Sequence, residues 1–321
     1  MRSILLLPLF IALIIPADAA DWRELKPETF PTKRHEAAFL ELDSKFYLLG
    51  GRGVKPLECY DPATNRWEKK AATPIELHHF QAVAFKGEIY VGGAFTGPYP
   101  NETPVPTFYI YNPATNQWRK GAVIPEARRR GAAGLVIHND QFYLICGIVH
   151  GHQGDFVPWL DRFDPISGKW TALPDAPHPR DHYQAVVQDG QIVAAGGRTS
   201  SGWTKQVFEL TVPAVDVFDI QAGTWKTLDK PIPTARAGCF ATAAKGYVIV
   251  AGGESGTQRE AHNEVEALDL KSGHWKALSR LITGRHGTGL AYWRGSLYTA
   301  SGCARRGGSP EQDSTEVLAL D

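Results

Sequence analysis

The residues of this 321-residue chain best suited to chemistry are its histidines and a set of regularly spaced arginines. Counting back thirteen residues from six equivalent strand positions (Tyr47, Tyr90, Tyr143, Val193, Ile249 and Tyr298) reaches Arg34, Leu77, Arg130, Arg180, Arg236 and Arg285. Twelve back stand His35, His78, Gly131, Asp181, Ala237 and His286. Eleven back stand Glu36, His79, Ala132, His182, Gly238 and Gly287. Imidazoles gathered at one opening would form a polar, titratable patch suited to a ligand. The recurring guanidinium fork either ties strands to turns by hydrogen bonds or joins that patch. A further run, His150-Gly151-His152-Gln153-Gly154-Asp155, brings metal-ligand types together in a loop. It lacks a fourth ligand, so it reads as a solvated loop, and neither a metal nor another cofactor is expected. No nucleophile triad motif or phosphate loop is visible, and Gly50-Gly51-Arg52-Gly53 lacks the spacing of a dinucleotide fingerprint.

These registers exist because the chain repeats. Asp61-Pro62-Ala63-Thr64-Asn65-Arg66-Trp67 returns as Asn112 to Trp118, as Asp164 to Trp170, and more weakly before Trp225 and Trp275. In each copy the residue two before the Trp is Asn or Gly, the types that tolerate a left-handed backbone, so each copy reads as a hairpin corner. Ahead of each corner an apolar strand ends in small residues, as in Phe46 to Gly51, Ile192 to Gly197 and Val248 to Gly253. Six such strands occur, and a further short apolar strand precedes each, giving about four strands per repeat. The sixth repeat runs out at Glu316 to Asp321 without its Trp. Trp22 is assigned as that corner residue, so that the N-terminal strand completes the last unit and closes the ring.

Lys+Arg and Asp+Glu number 34 each, which excludes partners recruited by net charge, nucleic acid above all. Arg2, the apolar run 4–15 and the small residues at 16–20 read as a signal peptide, too short to span a bilayer. Residues 21–321 are then one exported, soluble domain, periplasmic or extracellular. Cys59, Cys146, Cys239 and Cys303 show no zinc spacing, and both disulfides and buried free thiols fit them.

The paired glycines, the aromatic before each turn (Tyr60, Tyr111, Phe163, Phe218) and the spaced Trp resemble the kelch repeat. The resemblance covers essentially all of residues 21–321 and implies an all-β, six-bladed β-propeller with one four-stranded blade per repeat. Cys146, Ser301, Ala94 and Leu268 depart from the pattern locally. Two enzyme families built on this architecture bear on activity. The galactose oxidase family needs a Tyr–Cys crosslink and further domains, which find no match here. The bacterial sialic acid mutarotase uses a Glu and an Arg after a small pair, and Glu254 with Arg259 is similar to that arrangement. Such an enzyme needs only an acid/base pair to open and reclose a hemiacetal. The main expectation is a ligand-binding module, for a glycan or a protein. Its face would carry Arg34, His35, His78, His79, Arg130, His150, His152, Arg180, Asp181, His182, Arg236, Arg285 and His286. The alternative is a mutarotase or epimerase working through Glu254 and Arg259.

Overall fold

The computed structural model describes residues 20–320, so the proposed signal peptide lies outside the described residues save its last position. Six four-stranded antiparallel sheets follow one another around a central axis. The first is Ala37–Leu42, Lys45–Gly50, Pro56–Asp61 and Arg66–Ala72, and the next four repeat the meander. The innermost strands, Ala37–Leu42, Gln81–Phe85, Gly134–His138, Ala185–Gln188, Phe240–Ala244 and Ala291–Trp293, each contact the next around the axis. In the sixth blade the outer strand is Arg23–Glu24, paired with Thr315–Ala319 in the register Arg23↔Val317 and Glu24↔Glu316. Ring closure by the N-terminal strand is therefore present.

The corners are built as their residue types require. Asn65, Asn116, Gly168, Gly223 and Gly273 all take φ between 52° and 70°. Register then sets Trp67, Trp118, Trp170 and Trp225 opposite the aromatic before the turn, as in Tyr60↔Trp67 and Phe163↔Trp170 with ring centroids 5.4 and 4.9 Å apart, and sets Trp275 opposite Leu268. Trp118, Trp170 and Trp225 donate their indole N–H to a carbonyl of the preceding blade, and Trp22 does the same to Ser279 O at 2.9 Å. Trp22 is thus a sixth corner in its hydrogen bond as well as in its place. All four cysteines are free thiols, and all are buried.

The arginine register belongs to this framework: these side chains tie strands to turns, as the first of the two readings has it, and their inclusion among the ligand-facing residues is corrected. Arg34, Arg130, Arg180, Arg236 and Arg285 are fully buried. Each donates to the carbonyl sixteen residues on, at Gly50, Cys146, Gly196, Gly252 and Ser301 respectively. Each also pairs with a carboxylate on the third strand of its blade: Glu58, Asp161, Asp216, Glu266 or Glu316. A buried guanidinium must spend its donors this way, because an unpaired charge would cost several kcal/mol. In the second blade Leu77 replaces the arginine and Tyr109 the carboxylate, and the two pack in one apolar cluster. Both partners have changed together, which leaves no orphaned charge.

Candidate functional site

The site begins with the backbone. Glu36, His79, Ala132, His182, Gly238 and Gly287 occupy one register and all take a left-handed conformation, φ 50° to 65°. Each N–H donates to the carbonyl of the equivalent residue one blade back: His79 to Glu36 (3.0 Å), Ala132 to His79 (2.9 Å), His182 to Ala132 (3.2 Å). Gly238 to His182 (2.6 Å) and Gly287 to Gly238 (3.0 Å) continue the series, and Ala37 N–H closes it on Gly287 O at 3.1 Å. The result is a hydrogen-bonded belt around the axis. Glycine suits such a position, and a side chain there costs on the order of 1–2 kcal/mol. A glutamate, two histidines and an alanine nevertheless hold it, and the belt so fixes where the Glu36, His79 and His182 side chains stand.

Beside the belt lies a cavity of about 370 Å³, bounded by Glu36, His79, His35, His152, Arg52, Arg198, Glu254, Tyr99 and Phe208. On the belt's other side is a chamber of about 30 Å³, room for roughly one water. Below it Gln81 and Gln184 reach across to Ala185 O and Thr288 O (both 2.9 Å), which narrows the channel. Neighbouring loops fix the walls. Short hairpins, Phe95–Thr96 with Thr103–Pro104 and Ile148–His150 with Gly154–Phe156, carry Glu102 and His152 inward.

Two groups of titratable side chains meet here. In the first, Glu254 accepts from Arg198 Nη1 (2.5 Å) and Gly307 N–H (2.8 Å) and stands 3.4 Å from His286 Nε2. His286 Nδ1 is 3.5 Å from Glu36, and its Nε2 donates toward the carbonyls of Arg305 and Gly307, both 2.9 Å away. Burial works against charge on His286, but Glu254, Cys303 and Glu36 together raise its pKa well above the ordinary imidazole value. Burial would likewise raise Glu254, yet His286 and Arg198 hold it below the usual carboxylate range. For Glu36 burial is outweighed by His79 and His286, which pull it well below. Two carboxylates thus flank one imidazolium. His35 adjoins them, its Nδ1 2.7 Å from Glu311 and its ring 6.1 Å from that of His286.

The second group is a triangle of rings, His79, His152 and His182, with centroids 4.7 to 5.0 Å apart. His78 backs His79, and Asp181 backs His182. Burial pushes His79 well below its ordinary value, lowers His152, and takes His78 to about 4.

The structure therefore gathers His35, His78, His79, Asp181, His182 and His286 from the counted registers at one opening, and brings His152 to it from the loop run. It separates others. His150 turns outward to Asp155 (2.6 Å) beside Trp203, so the loop run His150 to Asp155 does not act as a unit. Arg259 is exposed, and the guanidinium on Glu254 belongs to Arg198 instead. The pairing of Glu254 with Arg259 is corrected on that ground. Glu102, Arg52 and Arg198 were missed, and Glu36, though it stands in the counted register, was not taken as a site residue. One signal was available for two of them: the residue directly after each small pair is Arg52, Phe95, Ile148, Arg198, Glu254 or Cys303, and three of these six are charged.

A family model described as the KLHDC2/KLHL20/DRC7 Kelch-repeats domain matches residues 81–302. The chain belongs to the kelch-repeat family. This kelch chain is similar to Kelch-like protein terF of Aspergillus terreus, 27% identical over 291 residues, 85% of this chain and 61% of that protein. It is also similar to Kelch-like protein 25 of Xenopus tropicalis (25%; 80% of this chain, 43% of that protein) and to Beta-scruin of Limulus polyphemus (26%; 79% and 28%). It thus spans less than two thirds of the length of these relatives. Among solved structures, that of YjhT superposes with a TM-score of 0.74 at 18% identity, covering 90% of this chain and 95% of the other. At that identity the shared property is the six-bladed kelch fold.

Proposed function

We propose that this propeller is a small-carbohydrate isomerase of mutarotase type, opening and reclosing a cyclic hemiacetal or hemiketal in the 370 Å³ pocket. The observation that carries the reading is the Glu36–His286–Glu254 group, whose two carboxylates line the pocket with the buried His286 between them. A volume in this range suits a monosaccharide better than a protein surface, which needs a broad face. Ring opening takes a proton from the anomeric hydroxyl and returns one to the ring oxygen. Glu36 is the base and, once it holds the anomeric proton, the acid that returns it to the ring oxygen: its ring-nitrogen partners stand no closer than 3.4 and 3.5 Å, so its oxygens keep lone pairs for a substrate. Glu254, engaged by Arg198 and Gly307, is a positioning residue that keeps His286 charged and aligned. Arg52, partly exposed beside the pocket, supplies a cation for an anionic sugar, and Tyr99 at the rim a face for stacking. The six-bladed kelch fold shared with YjhT offers the scaffold, and Glu254 directly after a small pair resembles the arrangement of the bacterial sialic acid mutarotase. Export, suggested by the apolar run at 4–15, is part of this proposal.

The test is exchange NMR on anomers of sialic acid and of common hexoses with the purified protein. One of these sugars should show accelerated exchange, reduced about 10²- to 10⁴-fold in Glu36→Gln. No acceleration for any of them, with saturable binding retained, would leave the pocket as a binding site alone.

A further inference from the structure

We propose that His79, His152 and His182 form a binding site for one divalent first-row transition-metal ion, zinc by preference, with open coordination toward the pocket. One ligand atom from each ring lies within 4.8 Å of the others, and all three residues are buried. The trio comes from three blades. His79 and His182 stand on the belt two blades apart, and between them the belt residue is Ala132, too small to fill the gap. His152 enters that gap from the long loop of the third blade. Its backbone N–H is bound by Pro100 O (3.0 Å) and Glu102 (3.1 Å), and its carbonyl by Gly202 N–H (2.7 Å).

Proton positions follow from the partners behind each ring. Asp181 accepts from the N–H (2.9 Å) and hydroxyl (2.8 Å) of Ser200, so it is an acceptor, and the His182 Nδ1 beside it carries the proton. His78 Nε2 can only donate to Gly97 O at 3.1 Å, so its Nδ1 accepts from His79 Nδ1–H at 2.6 Å. His152 Nδ1 lies 2.9 Å from Glu102 Oε1, a carboxylate that also accepts from Arg52 at 2.7 Å; the approach is too oblique for a well-formed hydrogen bond. All three rings are thereby biased to hold their proton on Nδ1 and to turn an Nε2 lone pair inward. His152 Nε2 and His182 Nε2 face each other at 3.0 Å. Two lone pairs at that distance call for a cation between the rings.

The spacing suits a metal ion. Two imidazole nitrogens at about 2.0–2.1 Å from a tetrahedral zinc are about 3.3 Å apart, so the longest edge of the triangle contracts by at most roughly 1.5 Å on binding. A carboxylate or imidazole behind each ligating ring is the outer shell that metal-bound histidines use to fix their tautomer. Glu36 Oε2, 3.4 Å from His79 Nε2, adds negative charge. Three imidazoles with a position left open are the donor set of reactive sites, whereas structural sites are closed by a fourth protein ligand. The inference stands independently of the isomerase reading.

The experiment uses untagged protein stripped with chelator, titrated with Zn²⁺ by calorimetry and with Co²⁺ by visible absorption. One ion per chain should bind, with the intense d–d bands of cobalt(II) in a low-coordinate nitrogen site. His182→Ala should abolish that spectrum, and Glu102→Gln should weaken Zn²⁺ binding about 10- to 100-fold. His150→Ala, on the exposed loop, should leave both unchanged. Absence of stoichiometric binding, or a cobalt spectrum that survives His182→Ala, would overturn the proposal. Should that variant misfold, the wild-type cobalt spectrum still decides, because octahedral aquo-like cobalt would exclude three nitrogen ligands. Metal binding is read without substrate, so its failure is distinguishable from a failure of sugar isomerisation.

Discussion

At the scale of single residues, His286 is the group whose charge the fold most plainly chooses. It is buried, and the groups facing it are Glu36, Glu254, Cys303 and the ring of His35. Its folded pKa is raised, so its contribution to stability is fully present below the unfolded value of about 6.5. That contribution is lost as pH rises through the folded value. Across that window the folded state holds one proton more than the unfolded state. Stability should fall with rising pH by about 1.4 kcal/mol per unit from about pH 6.5 upward. Urea unfolding at a series of pH values measures the slope. His286→Gln should lower stability at neutral pH and flatten the dependence. A wild-type slope unchanged by the substitution would show that His286 is neutral in the folded protein.

At the scale of the element, each blade is a strand-and-arginine cassette, and the second blade shows which parts of it must change together. Arg236→Leu would leave Glu266 buried with Thr234 as its remaining hydrogen-bonding side chain. Removing one member of such a pair costs about 3–5 kcal/mol. Adding Glu266→Tyr reproduces the Leu77 and Tyr109 combination of the second blade and should recover most of that loss in a double-mutant cycle. Equal, additive losses in denaturant midpoints would show that the arginine acts through the backbone carbonyls alone. The same cassette explains what could be read from the sequence. Corners and strand ends were legible because Asn, Gly and Trp types are demanded locally by backbone geometry, blade after blade. The arginines were legible as a register, but a register does not say which way a side chain points. Burial of five guanidinium groups appears only once the third-strand carboxylates are in place. The site resisted for a different reason. Arg198 reaches Glu254 across 56 residues of chain, because neighbours near the axis are same-register residues of adjacent blades. Arg259, five residues from Glu254, lies on the exposed flank of its own loop, so nearness along the chain misled.

At the scale of the whole molecule, the belt and the outer closure solve different problems. The belt runs through backbone hydrogen bonds from Glu36 round to Gly287 and Ala37, so its geometry depends on all six blades standing in a complete circle. The belt itself closes through Ala37 N–H on Gly287 O, whereas the outer edge of the ring closes where the sixth blade receives its fourth strand. Arg23–Glu24 pairs with Thr315–Ala319, Leu25 N–H reaches Thr315 O at 2.8 Å, and Trp22 is buried at the same corner. Without these residues the Thr315–Ala319 strand would present an open edge, and the cluster that holds Trp22 with Leu281, Leu290 and Leu318 would lose its cover. His286 stands at the head of that blade, and Glu36 at the head of the next, so the Glu36–His286 contact spans the seam. A chain lacking residues up to 26 should therefore lose site function before it loses its other five blades. The expected result is retained β-sheet circular dichroism, a lower and broader thermal transition, and concentration-dependent association by light scattering. A synthetic peptide of residues 20–27 supplied in excess should restore the midpoint in part, by binding the folded state in preference to the unfolded one. If the truncated chain unfolds with the full-length midpoint and stays monomeric, the N-terminal strand is an ornament on a ring closed by its other contacts.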